Sequence, residues 1–202
     1  MVAGISPVSI CNNALIKINA DTIESLEDVS KEGKTCNILY PQLRDKVLQA
    51  HPWNFALKQA QLAQLTDEPL FEFAFAYQLP ADCLRVFKNR EWLTARFAYK
   101  IKGRQLHTDA GSATIEYIFQ QEDTTQFSPM FVDLLALQLA ANLAYNIAGS
   151  NSLKQLLLQE YVSALAETKR RDGQEGIPDP MTADLFVDSR YIYSPSGYGG
   201  YY

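Results

Sequence analysis

Histidine is scarce in this chain. Its 202 residues include only His51 and His107, and the three cysteines are Cys11, Cys36 and Cys83. No CxxC pair and no His/Cys spacing of a zinc site occurs, and an odd cysteine count suits no closed disulfide framework. GxSxG, HExxH and Walker patterns are missing as well. Positive charge is short: 18 Lys+Arg stand against 23 Asp+Glu, a net charge of -5. That balance offers no basic patch of the kind that grips nucleic acid. The first residues, "MVAGISPVSICNNAL", have neither the charged start nor the long apolar run of a signal peptide. The expectation is a protein made in a reducing cytoplasm, with its cysteines buried as thiols.

What is present is ordinary globular material, 47% apolar and 20% charged, enough for one sizeable core or two small ones. Ser6-Pro7 is a helix start, a cap followed by proline in the first turn. Cys11, Ala14, Leu15 and Ile18 then share one helical face. A second helix is predicted after Asp28 or Ser30, with Cys36, Leu39, Tyr40, Leu43, Val47 and Ala50 as its stripe. Pro41 predicts a kink or short break in it. His51-Pro52 ends it, because the residue before proline is pushed out of the helical region.

From Trp53 the period changes to two. Trp53, Phe55 and Leu57 alternate with polar or small residues, and "FEFAFAYQLP" reads as a strand with Phe71, Phe73, Phe75, Tyr77 and Leu79 on one face. "CLRVF", a hairpin turning at Lys102-Gly103-Arg104, and "ATIEYIF" follow. Residues 53–126 are therefore expected to form an antiparallel meander of five to seven strands. Ser128-Pro129 repeats the helix-start device, and the helix to Ala148 is apolar almost all round, apart from Asp133, Gln138, Asn142 and Asn146. That polar stripe argues against a membrane span. A last helix, capped by Asn151 or Ser152, has Leu153, Leu156, Leu157, Tyr161, Ala164 and Leu165 as its seam. The fold class expected is α+β: a four-helix bundle with two helices before and two after an inserted antiparallel β domain, and an extended C-terminal tail. The divisions are 1–52 plus 127–172 for the bundle, 53–126 for the β domain and 173–202 for the tail.

The candidates for chemistry are thin. Asp67-Glu68, Glu27-Asp28 and Glu122-Asp123 are adjacent carboxylates in predicted loops, whereas glycoside hydrolysis needs two that face each other across a cleft. His51 beside Trp53 suits a helix end and an interdomain hinge, His51, Pro52, Trp53 and Phe55, better than a catalytic corner. No catalytic residue, metal ligand or cofactor site is expected. The tail carries Phe186, Tyr191, Tyr193, Tyr198, Tyr201 and Tyr202 among glycines and prolines. It has no period long enough to fold alone, yet tyrosine buries a large area at low entropy cost, so the expectation is a docking segment.

Five segments in order, "ICNNALIKIN", "YPQLRDKVLQAHPWNFA", "YQLPADCLRV", "YKIKGRQLHTD" and "FSPMFVDLLALQLAANLAYNI", resemble the tail tubular protein A family, the head-to-tail adaptors of short-tailed bacteriophages. The resemblance covers residues 6–171. It implies a helical bundle joined to a β domain, and a ring of twelve copies in the virion between the portal protein and the tail nozzle protein (tail tubular protein B). Double-stranded genomic DNA would leave through the channel without sequence-specific binding, and no membrane insertion is implied. An acidic wall fits such a conduit, since it weakens phosphate adhesion. The tail tyrosines above would meet the portal. The competing readings are a head-completion or connector protein of another tailed phage and, in a different class, a virion-associated peptidoglycan hydrolase.

Overall fold

Both Ser-Pro pairs start helices. The structure, a computed structural model, describes residues 4–90, 93 and 97–174. Ser6 caps α1 (Pro7–Lys17) in a reciprocal capping box with Ser9, and Ser30 caps α2 (Lys31–Gln49) through Gly33 N–H. Ser128 caps α3 (Pro129–Asn146), and Ser150, rather than the neighbouring Asn151 or Ser152, caps α4 (Asn151–Asp172). α2 runs through Pro41 without a break. Gly149, at φ +66°, takes the left-handed conformation in the turn between α3 and α4.

Between α2 and α3 lie seven strands: β1 (Leu57–Gln61), β2 (Ala63–Gln64), β3 (Phe75–Gln78), β4 (Cys83–Asn89), β5 (Tyr99–Lys102), β6 (Gln105–Thr108) and β7 (Thr114–Phe119). They form two antiparallel sheets, ordered β1-β7-β4 and β2-β3-β6-β5. The pairing is not the expected meander, because β1 joins the last strand, β7, from Leu57 opposite Ile118 to Gln61 opposite Thr114. Only Leu62 separates β1 from β2, so one bent strand crosses from the first sheet to the second.

Two readings of strand period fail locally. Residues 54–56 are a 3-10 turn, so Trp53 and Phe55 are not strand neighbours. In "FEFAFAYQLP" only residues 75–78 pair as strand. Glu72 has φ 75°, and Phe71 is 74% exposed. The turn is held from outside, by Lys100 and Lys102 on the Glu72 carboxylate (2.6 and 3.0 Å) and by Ala74 N–H on Asp109 (2.9 Å).

The four-helix bundle with an inserted domain is also not what the chain builds. It is an α+β fold in layers. α3 is central: α1, α2 and α4 pack against it, while α4 hardly meets α1 or α2. A helix apolar on every side has to be covered on every side, and eleven of its residues, from Phe131 to Ala144, are buried. The helical core does not end at the helices. Ile118 of β7 and Ala56 are fully buried within it, and Leu57 and Leu84 pack on its edge. The opposite face of the same strands, with Ile115, Tyr117 and Phe119 of β7 and Cys83 of β4, closes over Tyr77 and Leu106 of the second sheet. Around Ile118 the three-stranded sheet is thus covered on both faces, by the helices and by the four-stranded sheet, while Gln59, Lys88 and Glu116 line an open groove farther along it. Alternation along β7 had marked Ile115, Tyr117 and Phe119 as one face; what covers Ile118 comes from helices far away in sequence.

The three cysteines are buried and unbridged. Contact with Cys36 and burial together hold the Cys11 thiol far above the ordinary thiol range. No helix among the described residues is long and apolar enough to cross a membrane.

Ile118→Ala removes the one β7 side chain that is fully buried in the helical core. It should cost about 2–5 kcal/mol in urea denaturation. A loss near zero would contradict coverage of this sheet on both faces around Ile118.

Candidate functional site at the helix–sheet joint

The chain turns from α2 into β1 through His51, Pro52, Trp53 and Phe55. Pro52 has no N–H to offer and pushes His51 out of the helical region, so the helix ends and its last carbonyls take other donors. Val47 O accepts Ala50 N–H at 3.2 Å and, as a second donor, the Trp53 indole Nε1–H at 3.0 Å. The ring is fully buried. It meets Phe131 edge-on at 5.3 Å between centroids, stacks near Phe55 at 6.3 Å, and takes the His51 ring on its edge at 4.8 Å. Phe55 in turn contacts Phe127 and Phe131 at 5.6 and 5.0 Å. Phe127 and Phe131 flank the Ser128 cap, so this aromatic cluster fastens the end of α2 to the start of α3.

A second fastening comes from the end of α4. His51 Nε2 lies 3.0 Å from Asp172 Oδ2. The other Asp172 oxygen accepts from Asn54 N–H at 3.3 Å, and Asn54 Nδ2 donates to Asp172 O at 2.9 Å. Burial pushes the His51 imidazole below its ordinary value. Asp172 opposes that shift, while Lys169 and Arg85 add to it. The three ends α2, α3 and α4 therefore meet at one place. A cleft of about 540 Å³ opens beside it, lined by Phe55, Ser128, Met130, Thr168 and Arg171 among others.

His51 is thus engaged with a carboxylate that is itself held by Asn54, an arrangement that ties two helix ends. The pairs Glu27-Asp28 and Glu122-Asp123 are engaged locally. Asp28 accepts from Glu24 and Ser25 N–H, Glu122 pairs with the buried Arg44 at 3.4 Å, and Asp123 caps a turn through Thr125. Asp67 and Glu68 are exposed in the loop before β3. His107 is buried on β6, with Nε2 3.1 Å from Gln105 Oε1. Among the described residues no group of three His, Cys, Asp or Glu side chains is placed to hold a metal ion. The predicted docking residues Phe186, Tyr191, Tyr193, Tyr198, Tyr201 and Tyr202 lie outside the described residues.

Sequence reasoning found the joint through His51-Pro52 and the aromatics after it. It missed Asp172, which lies 121 residues from His51 in the chain. It also missed the apolar surface left on the helices: Ile16, Ile38, Leu156 and Val162 are exposed, although Leu156 had been placed in the α4 seam. Comparison with known protein families finds no matching family model, and comparison with curated proteins finds no match.

Trp53→Ala should cost about 3–5 kcal/mol of stability, and Trp53→Phe clearly less; equal stability of Trp53→Ala and the parent would contradict the packing role. His51 also gives a pH dependence. Its folded pKa is below the unfolded value, so its contribution is complete above the unfolded pKa, about 6.5, and declines as pH falls below it. Urea denaturation at stepped pH should show that decline, and His51→Gln should flatten it. An unchanged slope in His51→Gln would contradict the assignment.

Proposed function

We propose that this protein is a structural virion protein, the head-to-tail adaptor of a short-tailed bacteriophage. It acts as a ring of twelve copies between the portal protein and the tail nozzle protein, around the channel through which DNA leaves. The observation that carries the reading is the ordered run of five family-like segments. They fall on α1, on the end of α2 with the joint, on β3 to β4, on the β5–β6 hairpin, and on the central α3.

Physical features of the chain support this reading. A ring is held by heterologous contacts, in which one patch of a subunit meets a different patch of the next. Exposed aliphatic side chains occur in two separate parts of the helical layer, Ile16 and Ile38 on α1 and α2, and Leu156 and Val162 on α4. The joint ties these helices to the sheets, so a ring of helices would carry the sheets in a defined direction, toward the nozzle. The net charge of -5 per copy is multiplied in a ring and lets a phosphate backbone slide. The tyrosine-rich C-terminal segment, with Phe186, Tyr191, Tyr193, Tyr198, Tyr201 and Tyr202, adds portal affinity as a tethered contact. In this role the protein positions partners and carries out no bond chemistry.

Electron microscopy of the purified protein with portal rings of its phage tests the proposal. Twelvefold rings stacked on the portal are expected; a monomer indifferent to the portal would sink it. Ile38→Asp and Val162→Asp should each prevent ring formation and shift monomer stability by no more than about 0.5 kcal/mol, as surface substitutions do.

A further inference from the structure

The two sheets face each other across one core, and among the described residues a continuous strand links them on one side. There the bent strand β1–β2 passes from sheet to sheet at Leu62. On the other side the edge strands are β4 and β5, each paired along a single edge among the described residues, β4 to β7 and β5 to β6. The sheets together make a barrel with a slot between β4 and β5. A groove of about 320 Å³ occupies the slot, lined by Leu84, Val86, Tyr99 and Ile101 with Arg85 and Arg104 at its margin. Ile101 is exposed. The Arg104 guanidinium closes one end by donating to the carbonyls of Ala81 (3.0 Å) and Cys83 (3.4 Å). Two facing sheet edges with an apolar floor are the setting for strand addition, in which backbone bonds give affinity and alternate side chains fill the groove.

We infer that the β4–β5 slot is a strand acceptor and that its occupant is this chain's own C-terminal segment, residues 184–193. The point where the described chain stops favours that occupant. Asp172 is bound to His51, Arg85 of β4 lies within electrostatic reach of His51, and Gln49 reaches Leu84 O at 3.5 Å. The described chain therefore stops near β4. Ten residues from Gln174 to Asp184 span up to roughly 33 Å, ample to enter the slot. The segment "DLFVDSRYIY" has the right pattern, with Leu185, Val187, Tyr191 and Tyr193 on one face at period two. It has too little apolar length to fold alone, but an added strand needs no core of its own. Charge agrees. Residues 175–202 carry Glu175, Asp179, Asp184 and Asp188 against Arg190 alone, and the slot presents arginine.

The inference concerns the free chain and holds whether or not the protein is an adaptor. Hydrogen–deuterium exchange on the full-length protein, without portal, tests it. Amides of 184–193, β4 and β5 should be protected. Val187→Asp/Tyr191→Asp should accelerate their exchange about tenfold or more and leave α1 and α3 unchanged. Ile101→Arg, which blocks the slot, should release 184–193 in the same way. Exchange of 184–193 at the rate of a free peptide would overturn the inference. So would protection that survives Ile101→Arg, since the segment would then dock elsewhere.

Discussion

Everything in this structure depends on the need to cover α3. A helix with apolar side chains in every direction cannot lie on a surface. α1 and α2 cover part of it, α4 another part, and the face of the three-stranded sheet that carries Ile118 completes the enclosure. The same constraint makes β7 a strand that serves both cores. Ile118 serves the helical core, and Ile115, Tyr117 and Phe119 serve the core between the sheets. The helical and β parts are in this sense two sides of one sheet.

The joint follows from the same geometry. Helices gathered around one central helix bring their ends together, and the chain must leave that point to enter the sheet. Pro52 forces the exit, Trp53 fills the space and adds a second donor to Val47 O, and Asp172 closes the arrangement from the far end of α4. Each element is local in sequence except the last, which spans 121 residues. Ring packing and a half-buried carboxylate fix the orientation at this point. A fixed orientation of this kind suits the proposed adaptor role.

The parts of the fold legible in the sequence were those decided within one or two turns of chain. Ser6-Pro7 and Ser128-Pro129 name their helices because a cap and a proline act locally. The Lys102-Gly103-Arg104 hairpin is legible for the same reason, Gly103 having φ 60°. The strand reading of residues 71–74 failed because Glu72 and Ala74 are held by Lys100, Lys102 and Asp109, from another hairpin. The bundle failed because periodicity gives the apolar face of a helix but not its neighbour. A sheet can cover α3 as well as a fourth helix can. Of the candidate site, His51 and Trp53 were legible from the break in period, while Asp172 and the exposed Ile38 and Val162 are visible only once the helices are packed.

Packed across one shared sheet, the helices, joint and sheets should unfold as one cooperative body. Differential scanning calorimetry of the full-length protein tests this most directly. One transition with equal calorimetric and van't Hoff enthalpies is predicted. Two separable transitions, with the sheets melting apart from the helices, would contradict it.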